Sequence, residues 1–290
     1  MGAVTATPDI RMIAIDLDGT LLDSRKLLDP AFPAVLAALT ERGIAVVPAS
    51  GRQHESIRLA IAGSEADGTV GTGDEVAATL AIIAENGALA ARGGVVVAVD
   101  GVPLAAVATV LAAVDRYRAA GGTAAVVLAG RRSAYVSTEA VATLPDFVAT
   151  SRPYYPLLEV VEDLHAVEDD VLKIAVWDPH GTETGVAVEI GEVPGARTLI
   201  SAPVWVDVMS PTADKGRALA ALQEEMGIGP EHTMAFGDFP NDLGMLARAE
   251  WSYAMAGAHP AVTAAARFVA PSNDEGGVVQ TIREVLGLEV

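Results

Sequence analysis

Two aspartates, Asp16 and Asp18, stand two residues apart in Asp16-Leu17-Asp18-Gly19-Thr20, directly after the apolar run Met12–Ile15. In an extended segment, residues two apart face the same side. Two carboxylates that close resist joint ionisation unless a cation relieves them. A hard divalent ion such as Mg²⁺ takes oxygen ligands of this kind. A carboxylate can also be a nucleophile in an aspartyl-phosphate reaction, with its neighbour as general acid and base. Gly19 lets the chain turn sharply, and Thr20 adds a hydroxyl and a backbone N–H.

Three further polar clusters follow apolar runs or open helices. Ser50-Gly51-Arg52 comes after Ile44–Val47. There the Ser50 hydroxyl and the backbone N–H groups of the next helix can donate to an anion. Arg52 either binds substrate or braces the loop. Lys215 is one of only three lysines, with Lys26 and Lys173. It falls in the first turn of an expected helix, where the helix dipole disfavours a cation. A phosphate-binding role explains that placement better than a solvated surface does. Asp238 ends the run Thr233–Gly237 and is a metal-ligand candidate. Asn241 and Asp242 can cap the next helix, support a metal or contact substrate. Asn86, in Asn86-Gly87, closes a turn or contacts substrate.

The elements that must position these residues alternate between short β-branched runs and helical stretches. Strands are expected at 12–15, 44–47, 80–84, 204–208, 233–236, 251–255 and 268–269. Helices are expected at 30–42, 53–62, 214–226, 242–248, 260–266 and 277–286. The pattern predicts an α/β fold with a doubly wound parallel sheet, whose ligands bind beyond the carboxyl ends of the strands. Between these halves lies a mixed α+β stretch, read as an inserted domain. The expected division is a core of 1–86 and 201–290 and an insert of 87–200. Residues 63–75, rich in Gly, Asp and Thr, read as a loop. Trp177 and Trp205 read as packing residues.

Composition narrows the partners. The chain has 290 residues, 51% of them hydrophobic, enough for a sizeable core. Its 19 cations against 38 anions give a net charge of −19, which argues against nucleic acid. The absence of cysteine excludes disulfides, zinc thiolates and a cysteine nucleophile. The first ten residues lack a signal-peptide pattern, and the longest apolar stretch, 101–114, is too short to span a bilayer. The expectation is a cytoplasmic protein acting on a small molecule, as a monomer or homodimer.

The four clusters together resemble the motifs of the haloacid dehalogenase superfamily. Asp16-Leu17-Asp18-Gly19-Thr20 is similar to its first motif and Ser50-Gly51-Arg52 to its second. Lys215-Gly216 matches the third and Gly237-Asp238-Phe239-Pro240-Asn241-Asp242 the fourth. Glu85-Asn86-Gly87-Ala88, Ser272-Asn273-Asp274-Glu275-Gly276-Gly277-Val278 and the placement of the insert are similar to the Cof-like, type IIB sugar-phosphatase branch, whose C2B cap chooses the substrate. The resemblance implies Mg²⁺-dependent hydrolysis of a phosphomonoester, a sugar phosphate above all. It implies that Asp16 attacks phosphorus, that Asp18 serves as acid and then base, and that Ser50 and Lys215 bind phosphoryl oxygens. Asp16, Asp18 through its backbone carbonyl, and Asp238 would hold the metal, with Asp242 as a further candidate. A phosphomutase on the same scaffold and a non-catalytic phosphosugar-binding protein are the alternatives.

Overall fold

The structure is a computed structural model, and it describes residues 8–62 and 80–290. The loop expected at 63–75 lies outside the described residues. The chain divides into two compact units, one of residues up to Ala98 together with Asp214–Val290, the other Val99–Ala213.

The first strands are β1 (Met12–Asp16), β2 (Ala45–Ala49), β3 (Ala81–Ala84), β4 (Leu89–Arg92) and β5 (Val95–Val99). Next come β6 (Ala125–Gly130), β7 (Ala134–Ser137), β8 (Leu158–Val161), β9 (Val171–Trp177), β10 (Arg197–Ala202) and β11 (Trp205–Met209). The chain closes with β12 (Thr233–Gly237), β13 (Trp251–Met255) and β14 (Phe268–Ala270).

In the first unit the sheet order is β14-β13-β12-β1-β2-β3-β4-β5. The pairs from β14 to β3 are parallel, and β4 returns antiparallel to β3. All five residues of β1 are buried, which is why it reads as a continuous apolar run. Its side chains still divide by the two-residue period. Ile13 and Ile15 pack with Phe32, Leu39, Val279 and Ile282 on one face. Met12 and Ala14 pack with Leu219, Leu222, Met245 and Val262 on the other. Helices therefore cover both faces, as the doubly wound expectation requires. Strand order reverses between β1 and β12, so the switch point lies where Asp16 and Asp238 leave the sheet.

The second unit is a six-stranded sheet in the order β10-β11-β9-β6-β7-β8. Its pairs are antiparallel except β7 with β8. The helix Leu104–Ala119 covers one face through Val107, Val110 and Val114. Phe147 lies on the other, 5.9 Å from the Trp177 ring and 6.0 Å from that of Trp205. Both tryptophans are packing residues, as expected.

The expected boundaries need correction. The second unit begins at Val99 and ends at Ala213, not at 87 and 200. β4 pairs Leu89 with Ala84 and Arg92 with Ala81, so it extends the first sheet. β11 pairs with β9 and belongs to the second. Short apolar strands advertise their burial but not which sheet they join. The first helix also starts later than expected, spanning Phe32–Glu41. Asp29 accepts the Ala31 N–H at 2.8 Å and closes a turn first. No helix among the described residues is long and apolar enough to cross a membrane.

Candidate active site

Lys215 opens the helix Lys215–Met226, and Asp214 caps it by accepting the Gly216 and Arg217 N–H groups at 2.9 and 3.1 Å. The Lys215 side chain is wholly buried. Its Nζ donates to Asp16 Oδ1 at 2.5 Å and to Asp242 Oδ1 at 2.7 Å. The other Asp242 oxygen accepts the backbone N–H groups of Asp238 and Phe239 at 3.0 and 3.1 Å. The Thr20 hydroxyl donates to Asp238 Oδ1 at 3.2 Å. The first, third and fourth sequence clusters thus meet in one network. Gly19, at φ +89°, is part of the fit: a Cβ there would press on the Asp238 carboxylate at 2.5 Å.

Burial and charge explain the protonation of this network. Burial pushes the Asp16 carboxyl well above the usual carboxylate range. The Lys215 ammonium opposes that, while the Asp242 and Asp238 carboxylates add to it. Asp238 is raised chiefly by burial and then by Asp242. Burial works against the charge of Lys215, but Asp16 and Asp242 outweigh it and raise its pKa.

One oxygen from each of Asp16, Asp238 and Asp242 lies within 4.8 Å of the others. Among the described residues one cation, Lys215, pairs with two of these three acids, which leaves an excess of carboxylates. An all-oxygen donor set with excess negative charge fits Mg²⁺ rather than a thiophilic metal. Asp242, which the sequence left open between capping and metal support, is part of this cluster. It also caps, as expected, though at the one-turn 3-10 helix Pro240–Asp242, where its carboxylate accepts the Phe239 N–H, rather than at the helix Leu243–Leu246.

Asp18 departs from the same-face expectation. Its side chain is not among the clustered carboxylates; it accepts two bonds from Arg52, at 2.8 and 2.6 Å, and an ion pair from Lys26 at 2.8 Å. Extended geometry ends at Asp16. The chain then turns, with Leu17 O accepting the Thr20 and Leu22 N–H groups. Burial alone would raise the Asp18 carboxyl. The bonds and charges of Arg52 and Lys26 outweigh that and hold it below its ordinary value. Arg52 therefore engages Asp18 itself, which settles on neither of the two roles the sequence offered. The sequence marks Lys26 only as one of three lysines.

Ser50 is buried at the end of β2, and its Oγ accepts the Arg52 N–H at 3.3 Å. The Asn86 N–H donates to Ser50 O at 3.0 Å, and the Asn241 amide donates to Asn86 Oδ1 at 3.1 Å. Gly51 lies against the Asn86 amide, leaving little room for a side chain. Glu85, Asn86 and Gly87 all have positive φ, at 47°, 56° and 94°. Asn86 thus joins the second and fourth clusters while closing a turn. A Cβ on Gly87 would collide with the Asp214 carbonyl beside Lys215. Gly87→Ala is expected to cost about 2 kcal/mol or more, through strain at positive φ plus overpacking. Urea unfolding of the variant at pH 7 checks this; a midpoint equal to wild type would contradict it.

A profile of haloacid dehalogenase-like hydrolases matches residues 13–282. The Escherichia coli 5-amino-6-(5-phospho-D-ribitylamino)uracil phosphatase YbjI is 29% identical over 284 residues, covering 96% of each chain. Among solved structures, SMU.1108c of Streptococcus mutans is 26% identical with a TM-score of 0.75, covering 96% of this chain and 100% of that one. A haloacid dehalogenase-like hydrolase of Bacteroides thetaiotaomicron gives a TM-score of 0.76 at 22% identity, covering 95% and 99%, a likeness of fold.

Proposed function

Because the chain belongs to the haloacid dehalogenase-like hydrolase family, we propose that it hydrolyses a sugar or sugar-alcohol phosphate through an aspartyl-phosphate on Asp16, with Mg²⁺ as cofactor. The observation that carries this reading is the buried Lys215 ammonium spanning Asp16 and Asp242, beside a third carboxylate. The Escherichia coli relative, named as a phosphatase of a phosphoribityl compound, supports the substrate class.

In the first half-reaction an Asp16 oxygen attacks phosphorus and the bond from phosphorus to the ester oxygen breaks. Asp18, in its protonated form, gives its proton to that oxygen, and the alcohol leaves. In the second, Asp18 takes a proton from water as the water oxygen attacks phosphorus. The bond to Asp16 breaks, and inorganic phosphate departs. Ser50 and Lys215 bind the phosphoryl oxygens, and Asn241 and Asn86 border the phosphate. Arg52 orients Asp18. Asp16, Asp238 and Asp242, with the backbone carbonyl of Asp18, would hold Mg²⁺, which when bound offsets the repulsion between nucleophile and phosphate. The second unit, Val99–Ala213, selects the alcohol.

A phosphate-release screen over sugar and polyol phosphates, the phosphoribityl compound included, tests the reading with Mg²⁺ and with EDTA. Release that EDTA abolishes is expected; no release from any ester would sink it. Binding is checked separately by thermal unfolding. Mg²⁺ at a hundred times its Kd adds about 2.7 kcal/mol of stability, a rise in Tm of several degrees for a chain of this size. The pH sign follows from Asp16. Its folded pKa lies above its ordinary value of 3.8, at about 7, so without metal it favours folding at low pH and that contribution is lost as pH rises from about 4 to about 7. Protons compete with the metal for the same oxygens, so the Mg²⁺-induced shift should be larger at pH 8 than at pH 5. An equal shift at both would contradict this.

A further inference from the structure

Resting on the phosphatase reading above, we infer that Lys26, carried on a hairpin anchored by Asn273 and Asp274, is a positioning residue that fixes the Asp18 carboxylate for proton transfer to the leaving group.

Residues 22–28 form a tight hairpin in which Leu22 bridges Leu28 in antiparallel fashion. Asp23 Oδ1 accepts the N–H groups of Arg25 and Leu27 at 2.9 and 2.8 Å. The backbone adds Asp23 N–H to Leu27 O and Lys26 N–H to Asp23 O, each 2.9 Å. This turn holds Lys26 at φ +67°, a left-handed conformation seldom adopted by residues with a side chain. A strained backbone that persists is held by its surroundings, and such positions gather at working sites. The Lys26 side chain, 59% exposed, reaches back to Asp18 Oδ1, the oxygen that Arg52 Nη2 also contacts at 2.6 Å.

The hairpin is tied down by the far end of the sequence. The Asn273 amide donates to Leu22 O at 2.9 Å, and Asp274 Oδ1 accepts the Ser24 N–H at 2.7 Å. Both anchors come from Ser272–Gly277, a motif with no other part in the proposed chemistry. Behind it, Gly276 lies so close to the Asp29 carboxylate that a Cβ would collide. The C-terminal motif thus holds the hairpin, the hairpin holds Lys26, and Lys26 and Arg52 grip one carboxylate from two directions. An exposed ion pair contributes little to stability. The two cations favour the ionised carboxylate, so Lys26 serves the acid step by placement alone, because small displacements of an acid in the transition state cost rate steeply.

The leaving group provides the test. A sugar alkoxide needs a proton to depart, whereas p-nitrophenolate does not. The ratio kcat/KM reports events up to leaving-group release, so it isolates the acid step from the later use of Asp18 as a base. Wild type, Lys26→Met, Lys26→Arg and Asp274→Ala are compared on the fastest alkyl phosphate and on p-nitrophenyl phosphate. Lys26→Met should lower kcat/KM about tenfold more on the alkyl ester than on the aryl ester, part of the hundredfold or more that general acids supply. Lys26→Arg should restore the ratio, and Asp274→Ala should reproduce part of the loss with Tm little changed. Equal losses on both esters, as for a phosphate-binding or structural lysine, would overturn the inference, as would no loss on either. Wild type inert on both esters would instead overturn the phosphatase reading.

Discussion

Asp16→Asn is expected to abolish phosphate release, by at least about a thousandfold, while leaving the fold intact. The amide keeps the shape of the carboxylate and can still meet Lys215, but it is a poor nucleophile toward phosphorus. The stability sign separates this from simple unfolding. Burial raises the Asp16 carboxyl despite the adjacent ammonium, so its ionised form is held at a cost in the metal-free protein. A neutral amide avoids that cost at pH 8. Asp16→Asn should therefore unfold no earlier than wild type in EDTA at pH 8, and should gain less from added Mg²⁺. Phosphate release and Tm measured on one preparation check both halves. Turnover near the wild-type rate would remove Asp16 from the role of nucleophile.

What the sequence made legible here was type and order rather than direction. The apolar run before Asp16 and the one before Asp238 identified two buried parallel strands, and β1 lies between β2 and β12 as the doubly wound pattern required. Lys215 was conspicuous because lysine is scarce and a helix start is a poor place for one. Its meeting with Asp16, 199 residues away, is a consequence of topology that spacing could not reveal. Asp18 shows the opposite case. The alternation rule assumed an extended chain through Asp18, but the turn begins at Leu17 and sends the carboxylate to Arg52 and Lys26. Nothing local to Lys26 marks it, since its importance comes from Asn273 and Asp274 at the other end of the chain. Three consecutive positive φ values at Glu85–Gly87 were likewise only hinted at, by Asn-Gly. The second unit hid its edges for a related reason: β4 and β5 carry ordinary strand residues, and pairing partners are a property of the folded sheet.

Lys215→Met should be the most damaging single change to stability among the residues of the site. Methionine keeps most of the length and removes the charge, so the cavity is filled and the electrostatics are isolated. Asp16 and Asp242 would then lie buried with no cation between them, and Asp242 is fully enclosed. Breaking a buried pair by deleting one partner costs about 3–5 kcal/mol, because the remaining charge has no compensation. The loss has a distinctive pH dependence. Without the ammonium, the carboxylates gain stability by taking up protons, so the deficit should shrink at pH 5 and be largest near pH 8. Mg²⁺ offers the same acids an alternative cation and should recover part of the deficit at pH 8, where EDTA should expose it fully. Urea unfolding of wild type and Lys215→Met at both pH values, with and without Mg²⁺, reads all four cases. A deficit independent of pH and of metal would mean that Lys215 matters through packing alone. The dependence on both would identify its charge as the element that lets two buried acids and the half-buried Asp238 share one site, the arrangement on which the proposed nucleophile depends.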